Sequence, residues 1–209
     1  MEACAMGHSQ ADKAQTHQRL VRTAAGQFRD RGIEGISLAE LMKLLGLTHG
    51  GFYKHFSSRD ELVGEAIGYA LAEGDAAMHG WLFKDGKADL PNFIHTYLSE
   101  AHRDSRANGC TVSALSADVA RKGEDLQGLF RDQIERNIGM LVAAMEGVPA
   151  GERRGQAMLL LSALYGALML ARSTGDSRLS QEFLRTVGDK LVALGGAAPK
   201  KVRGASKAA

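Results

Sequence analysis

At 209 residues the chain has room for one large or two small domains around a real hydrophobic core. Its 44% hydrophobic and 24% charged residues are the proportions of an ordinary globular protein, which excludes a disordered or fibrous chain. The net charge of +2 becomes informative only along the chain: from Lys13 to Arg59 eight basic side chains face three acidic ones, and the body from Glu73 to Asp189 has acids in slight excess. A basic N-terminal third predicts a polyanionic partner at that end, although charge alone fits a solvated basic face equally well. Cys4 and Cys110 give no metal-ligand spacing and no disulfide framework, so neither a metal nor a cofactor is expected. The longest apolar run, Ala157 to Ala171, is short for a bilayer span and no signal peptide is evident. A cytoplasmic protein with no membrane partner is expected.

Few prolines and few alternating apolar runs predict an all-α fold. The first helix is predicted from about Gln15 to Arg31, with Leu20, Val21, Ala24, Ala25 and Phe28 on one face and Gly32 closing it. Ser37 and Glu40 have capping-box spacing before a second helix, Leu38 to Leu45, which Gly46 ends. Thr48 caps a short third helix running to about Phe56. Ser57 or Ser58 then opens a fourth, carried to about Met78, with Asp60 and Glu61 at its positive end. The stretch "FKDGKADLPNF", Phe83 to Phe93, reads as a loop in which Pro91 is placed to open a helix running to about Ala107. Helices follow over Cys110 to Ala120, Glu124 to Met145, Arg153 to Ser173 and Ser180 to Leu194.

Two short helices joined by a tight glycine turn have helix-turn-helix spacing, in which the second helix enters a DNA major groove. The block "LVRTAAGQFRDRGIEGISLAELMKLLGLTHGGFYKHFSSRDELVGEAI" resembles the DNA-binding domain of the TetR family of transcriptional regulators. The resemblance is strongest from about Arg19 to Ile67. It implies an N-terminal three-helix helix-turn-helix domain and a C-terminal helical ligand-binding and dimerisation domain. The implied organisation is a disordered tail over residues 1–14, the DNA-binding domain over 15–60, the effector and dimerisation domain over 61–195, and a basic tail over 196–209.

Carried onto matching positions, the resemblance implies DNA contacts from Ser37, Thr48, His49, Gly50, Gly51, Tyr53, Lys54, His55 and Arg59. His49, Gly50, Gly51 and Lys54 lie at bases or adjacent backbone. Thr48, Tyr53, His55, Arg59 and Ser37 lie at phosphates, with Phe52 and Phe56 as core. Ala39 departs from members with a long polar side chain at that position, so fewer direct base contacts are expected.

The helix from Ala157 is apolar around most of its circumference and must be buried. The resemblance implies a homodimer through the helices at about 153–173 and 180–194, a double-stranded operator, and a small-molecule or electrophile effector. Cys110 follows a glycine at a helix start, where free N–H groups favour a thiolate, with Arg103 and Arg106 upstream. "GC" and "LSADV" are similar to words in the electrophile-sensing, NemR-type branch of the family, which implies sensing by Cys110 with Arg172 nearby. Cys110 as a small buried hydrophobe remains open. The expected function is therefore a repressor that binds a palindromic operator as a dimer and is released by its effector. The alternatives are a helical protein-binding adaptor and a cysteine-dependent enzyme using His102 as base.

Overall fold

A computed structural model of the chain describes residues 10–196; Cys4 and the basic tail beyond residue 196 lie outside them. In chain order the described elements are α1 (Gln10–Arg31), α2 (Leu38–Leu45), α3 (His49–Phe52), α4 (Arg59–Leu82), β1 (Phe83–Lys84), β2 (Lys87–Ala88), α5 (Leu90–Tyr97), α6 (Glu100–Asp104), a 3-10 turn (Arg106–Asn108), α7 (Thr111–Val119), α8 (Glu124–Ala144), α9 (Ala150–Ser173) and α10 (Arg178–Gly196). The architecture is all-α apart from one small hairpin. The chain forms two compact units: residues up to Met78 with Ala101–Arg136, and His79–Glu100 with residues from Asn137 onward.

In the first unit, α1 buries Leu20, Val21, Ala24, Ala25 and Phe28, the stripe that the sequence pattern marks. It begins at Gln10, ahead of the expected Gln15, so residues 10–14 are helical rather than disordered. Asp12 in the first turn suits the positive end of the helix dipole. The loop to α2 turns back on α1 so closely that a Cβ at Gly35 would stand 1.9 Å from the Arg31 carbonyl oxygen. Only glycine fits there. The capping box forms as expected: the Ser37 hydroxyl accepts from the Glu40 N–H at 3.2 Å, and the Glu40 carboxylate accepts from the Ser37 N–H at 2.8 Å. Gly46 ends α2 in the left-handed region at φ 68°, which makes the tight turn to Thr48.

The third helix is shorter than expected and stops at Phe52. Two adjacent glycines each cost about 1 kcal/mol of helix propensity relative to alanine, which leaves little to propagate it. Residues 53–56 continue as a turn, closed by bonds from the His55 and Phe56 N–H groups to the Phe52 carbonyl. Phe52 and Phe56 are fully buried and stack 5.5 Å apart, pinning this segment to the core.

Two further expectations are corrected. The helix expected from Pro91 to Ala107 is broken into α5, α6 and the 3-10 turn. At the break the Ser99 hydroxyl donates to the Thr96 carbonyl, taking an acceptor the backbone would use. The expected loop after α4 contains a two-stranded hairpin around Asp85-Gly86, both at positive φ, as a type I′ turn requires.

In the second unit α10 packs along α9 and α5. Leu160, Leu161, Leu164, Ala167, Leu168 and Ala171 form the buried face of α9. The helix reaches beyond the apolar run to Ala150, so by length and composition it could cross a membrane. Here one face of it packs within the second unit: Tyr165 OH accepts from Asn137 Nδ2 at 2.7 Å, and the buried Ser180 hydroxyl donates to the Ala171 carbonyl. Its other face leaves Met158, Leu159, Met169 and Leu170 exposed.

Candidate nucleic-acid interface

Thr48, the N-cap of α3, accepts from the Gly51 N–H at 3.2 Å through its side-chain oxygen, which leaves its hydroxyl hydrogen to donate outward. His49, Gly50 and Lys54 are exposed, and Gly51 is half-buried. Tyr53 is 59% exposed and lies edge-on to the His49 ring at 5.6 Å, so its phenol projects to solvent from a fixed position. A Cβ built on Gly50 meets nothing within 4 Å. The segment thus has a buried aromatic underside and an open outer face on which Thr48, His49, Gly50, Tyr53 and Lys54 come together.

The remaining predicted contacts are placed differently. Ser37 uses its hydroxyl wholly in the cap: besides accepting from Glu40, it donates to the Glu40 carboxylate at 2.6 Å. His55 is half-buried beside His17, with ring centroids 6.0 Å apart, and its Nδ1 is buried without a hydrogen-bond partner among the described residues. Burial, and then the charges of His17, Lys13 and Lys54, hold its pKa below the ordinary histidine value, which favours the neutral ring. Arg59 turns inward. Its Nη1 donates to Glu34 at 3.0 Å, and its Nη2 donates to the carbonyls of Ile33 at 2.5 Å and Ile36 at 3.1 Å. Sequence reasoning missed Glu34 because an acid in a basic head carries no motif; its spacing to Arg59 is visible only after folding.

Cys110 also lies in the first unit, half-buried, as the N-cap of α7. Its sulfur accepts from the Ser113 N–H at 3.4 Å, an arrangement that favours negative charge on sulfur. The upstream arginines are engaged with carboxylates: Arg103 with Asp104 at 2.7 Å, and Arg106 with Asp30 at 3.4 Å. His102 Nε2 accepts from the Cys110 backbone N–H at 3.1 Å. That lone pair faces the main chain and does not serve as a base toward the thiol. Arg172 lies in the last turn of α9, within the second unit.

A short helix held down by two phenylalanines, capped by a threonine and presented after a glycine turn, beside basic side chains, defines a helix-turn-helix DNA-binding regulator. Residues 20–66 match the family model described as bacterial regulatory proteins, tetR family. The chain is 28% identical over 172 residues to the HTH-type transcriptional repressor NemR of Escherichia coli (strain K12), covering 75% of this chain and 84% of that protein. Its fold matches a TetR transcriptional regulator from Chloroflexus aurantiacus J-10-FL with a TM-score of 0.74 at 21% identity, covering 87% of this chain and 96% of that one. It matches the reduced form of E. coli NemR with a TM-score of 0.70 at 23% identity, covering 85% and 95%. Residues 20–66 therefore match the tetR-family DNA-binding domain, and the chain is similar along most of its length to transcriptional regulators of that kind.

Proposed function

We propose that the protein is a cytoplasmic repressor that binds a pseudo-palindromic operator as a homodimer and releases it when an effector acts on the helical body. The observation that carries this reading is the sorting of the α3 segment into a buried aromatic side and an exposed polar side. Tyr53 and Thr48 contact phosphates, while His49 and Lys54 read bases beside the bare backbone of Gly50 and Gly51. Arg59 and Ser37 act as positioning groups for the head. Residues 15–60 form the functional head and 61–195 the effector and dimerisation body.

The exposed stripe Met158, Leu159, Met169 and Leu170 on an otherwise packed helix supports dimerisation through α9 and α10. Half-sites on one face of B-DNA then lie about 34–36 Å apart, or a multiple of that. Selection of bound DNA from a random pool tests the reading. A two-fold symmetric sequence with that spacing is expected, with affinity falling steeply as salt rises through counterion release. Recovery of no enriched sequence, or binding indifferent to salt, would favour a protein-binding adaptor. Leu159→Glu with Leu170→Glu should give a monomer in sedimentation and lose operator binding.

For the effector, we propose that Cys110 is alkylated by electrophiles. Its thiolate adds to the β-carbon of an unsaturated carbonyl, forming a C–S bond. The displaced electron pair moves onto the carbonyl, and water supplies the proton. The Ser113 N–H at the sulfur supports this assignment. Cys110→Ser protein should hold its operator in the presence of a quinone or α,β-unsaturated aldehyde that releases the parent; release at the parent rate removes Cys110 from the mechanism.

A further inference from the structure

Glu34 stands on the loop between α1 and α2, and its carboxylate is held by cations from two separate elements. Arg59 reaches it from the first turn of α4 at 3.0 Å, and Lys122 reaches it from the turn after α7. The same loop is tied twice more. Arg59 also binds the Ile33 and Ile36 carbonyls, and the Ile33 N–H donates to Asp118 Oδ2 at 3.4 Å, in the last turn of α7. The approach of Asp118 is close: a Cβ on Gly32 would lie 3.1 Å from the same oxygen. All these residues belong to the first unit, so one carboxylate joins the end of α7, the start of α4 and the loop that leads into the reading helices.

The other end of α7 is Cys110, its N-cap. A nine-residue helix at about 1.5 Å per residue is a rigid rod of about 14 Å, with the thiol at one end and Asp118 and Lys122 at the other. Next to the thiol, the buried Thr111 hydroxyl donates to the Ala70 carbonyl on α4, fastening the rod at its first turn. A group added to the sulfur takes space at the Ser113 N–H and strains that end. Glu34 is 65% exposed on its side chain but is held by two cations at once, and a network of this kind counts for more than an isolated exposed pair while staying open to water. A tie open to water in this way can still be broken, as a switch requires.

We propose that Glu34 is the joint through which α7 sets the placement of the helix-turn-helix. With Lys122 and Arg59 both on its carboxylate, the α1–α2 loop, α2 and α3 take the arrangement that fits the operator. Displacement of α7 from its Cys110 end withdraws Lys122 and Asp118, and the loop shifts its hold to Arg59 alone. The proposal rests on Cys110 as the site where the effector acts.

The test uses the full chain with Cys4→Ser, so that N-ethylmaleimide labels only Cys110, and operator affinity measured by fluorescence anisotropy at fixed salt. Glu34→Gln and Lys122→Met should each weaken operator binding by about 5- to 30-fold, and together no more than either alone. Lys122→Arg should restore binding, and affinity for random-sequence DNA should stay within about twofold, which a general folding defect or lost charge would not produce. Labelling should weaken the parent at least about tenfold and the Glu34→Gln protein less than about threefold. Operator should slow labelling of the parent but not of Glu34→Gln, by linkage. Lys122→Met binding as the parent, or labelling that weakens Glu34→Gln by the parent's factor, overturns the joint whatever the thiol does. Labelling that leaves the parent's affinity unchanged, with Lys122→Met still weak, instead refutes the thiol as input and with it this route.

Discussion

Replacing Gly50 by alanine separates the two demands made on α3, that it be a helix and that its backbone approach DNA. Neither Gly50 nor Gly51 has a positive φ, so nothing in the backbone requires glycine at either position. A Cβ at Gly50 meets open space, and one at Gly51 lies 3.5 Å from Thr48 Oγ1, an ordinary contact. Alanine should therefore fit at 50 and stabilise the first turn of α3 by about 0.5–1 kcal/mol. In a protein of this size that corresponds to a melting temperature higher by about 1–4 °C. On the operator, the same methyl group occupies the position where the bare backbone meets the groove. A loss of about tenfold in affinity, equal to about 1.4 kcal/mol, is expected. Calorimetry on the free protein and anisotropy on the selected operator measure the two effects separately. Higher thermal stability with unchanged operator affinity would refute the close approach of α3 to DNA. Lower thermal stability would show that the backbone needs glycine after all.

Tyr53→Phe should weaken binding to every sequence alike by removing a phosphate donor, whereas His49→Ala should change which bases are preferred; exchanged outcomes in a binding selection would invert the orientation of α3. Gly35→Ala should lower both melting temperature and operator affinity, because its Cβ would collide with the Arg31 carbonyl oxygen 1.9 Å away; circular dichroism melting checks the first. Hydrogen bonding from Lys122 and then the charge of Arg59 hold Glu34 below the usual carboxylate range, and hydrogen bonds from Ser37 and Ser57 do the same for Glu40 and Glu61. A carboxyl group with a depressed folded pKa adds stability above its unfolded value, about 4.3, and loses it as pH falls through the folded value. Thermal melts below about pH 5 should therefore show falling stability, and Glu40→Gln should flatten that limb. His55, also depressed, adds a shallower loss of stability as pH falls through the ordinary histidine range, which His55→Gln should abolish in the same melts.

The helix-turn-helix was legible because its signals are local. Ser37 to Glu40 is a capping box at fixed spacing, Gly46 is a turn residue at a helix end, and Phe52 and Phe56 share one helical face. The elements that differed involve short-range competition or distant partners. The break at Leu98 depends on a serine hydroxyl taking a carbonyl that continuous periodicity would assign to the backbone. The Asp85-Gly86 hairpin carried a readable turn signal, but its flanking strands are only two residues each, too short for alternation to show. Arg59 illustrates the limit at the site. From sequence it is a cation at a helix start, which suits a phosphate, and its engagement with Glu34, Ile33 and Ile36 spans more than twenty residues of chain that only the fold brings together.

These placements bear on how such a head could choose its DNA. Ala39 and the glycines at 50 and 51 offer no side chain to a base, and Ser37 and Arg59 are turned to intramolecular partners. The exposed groups left at the reading edge are His49, Tyr53 and Lys54, of which a phenol at the flank suits phosphate better than base edges. One good base contact discriminates by about 1–3 kcal/mol, so two readers in each of two half-sites supply modest direct readout. On the docking proposed above, the backbone of α3 would report groove width instead, because a helix start without side chains touches DNA only where the groove admits it closely. Specificity then depends on the shape and deformability of the operator and on the fixed spacing of two heads. The selected operator should accordingly show few invariant base pairs per half-site, a strict centre-to-centre distance, and sequence preference at positions that no side chain reaches.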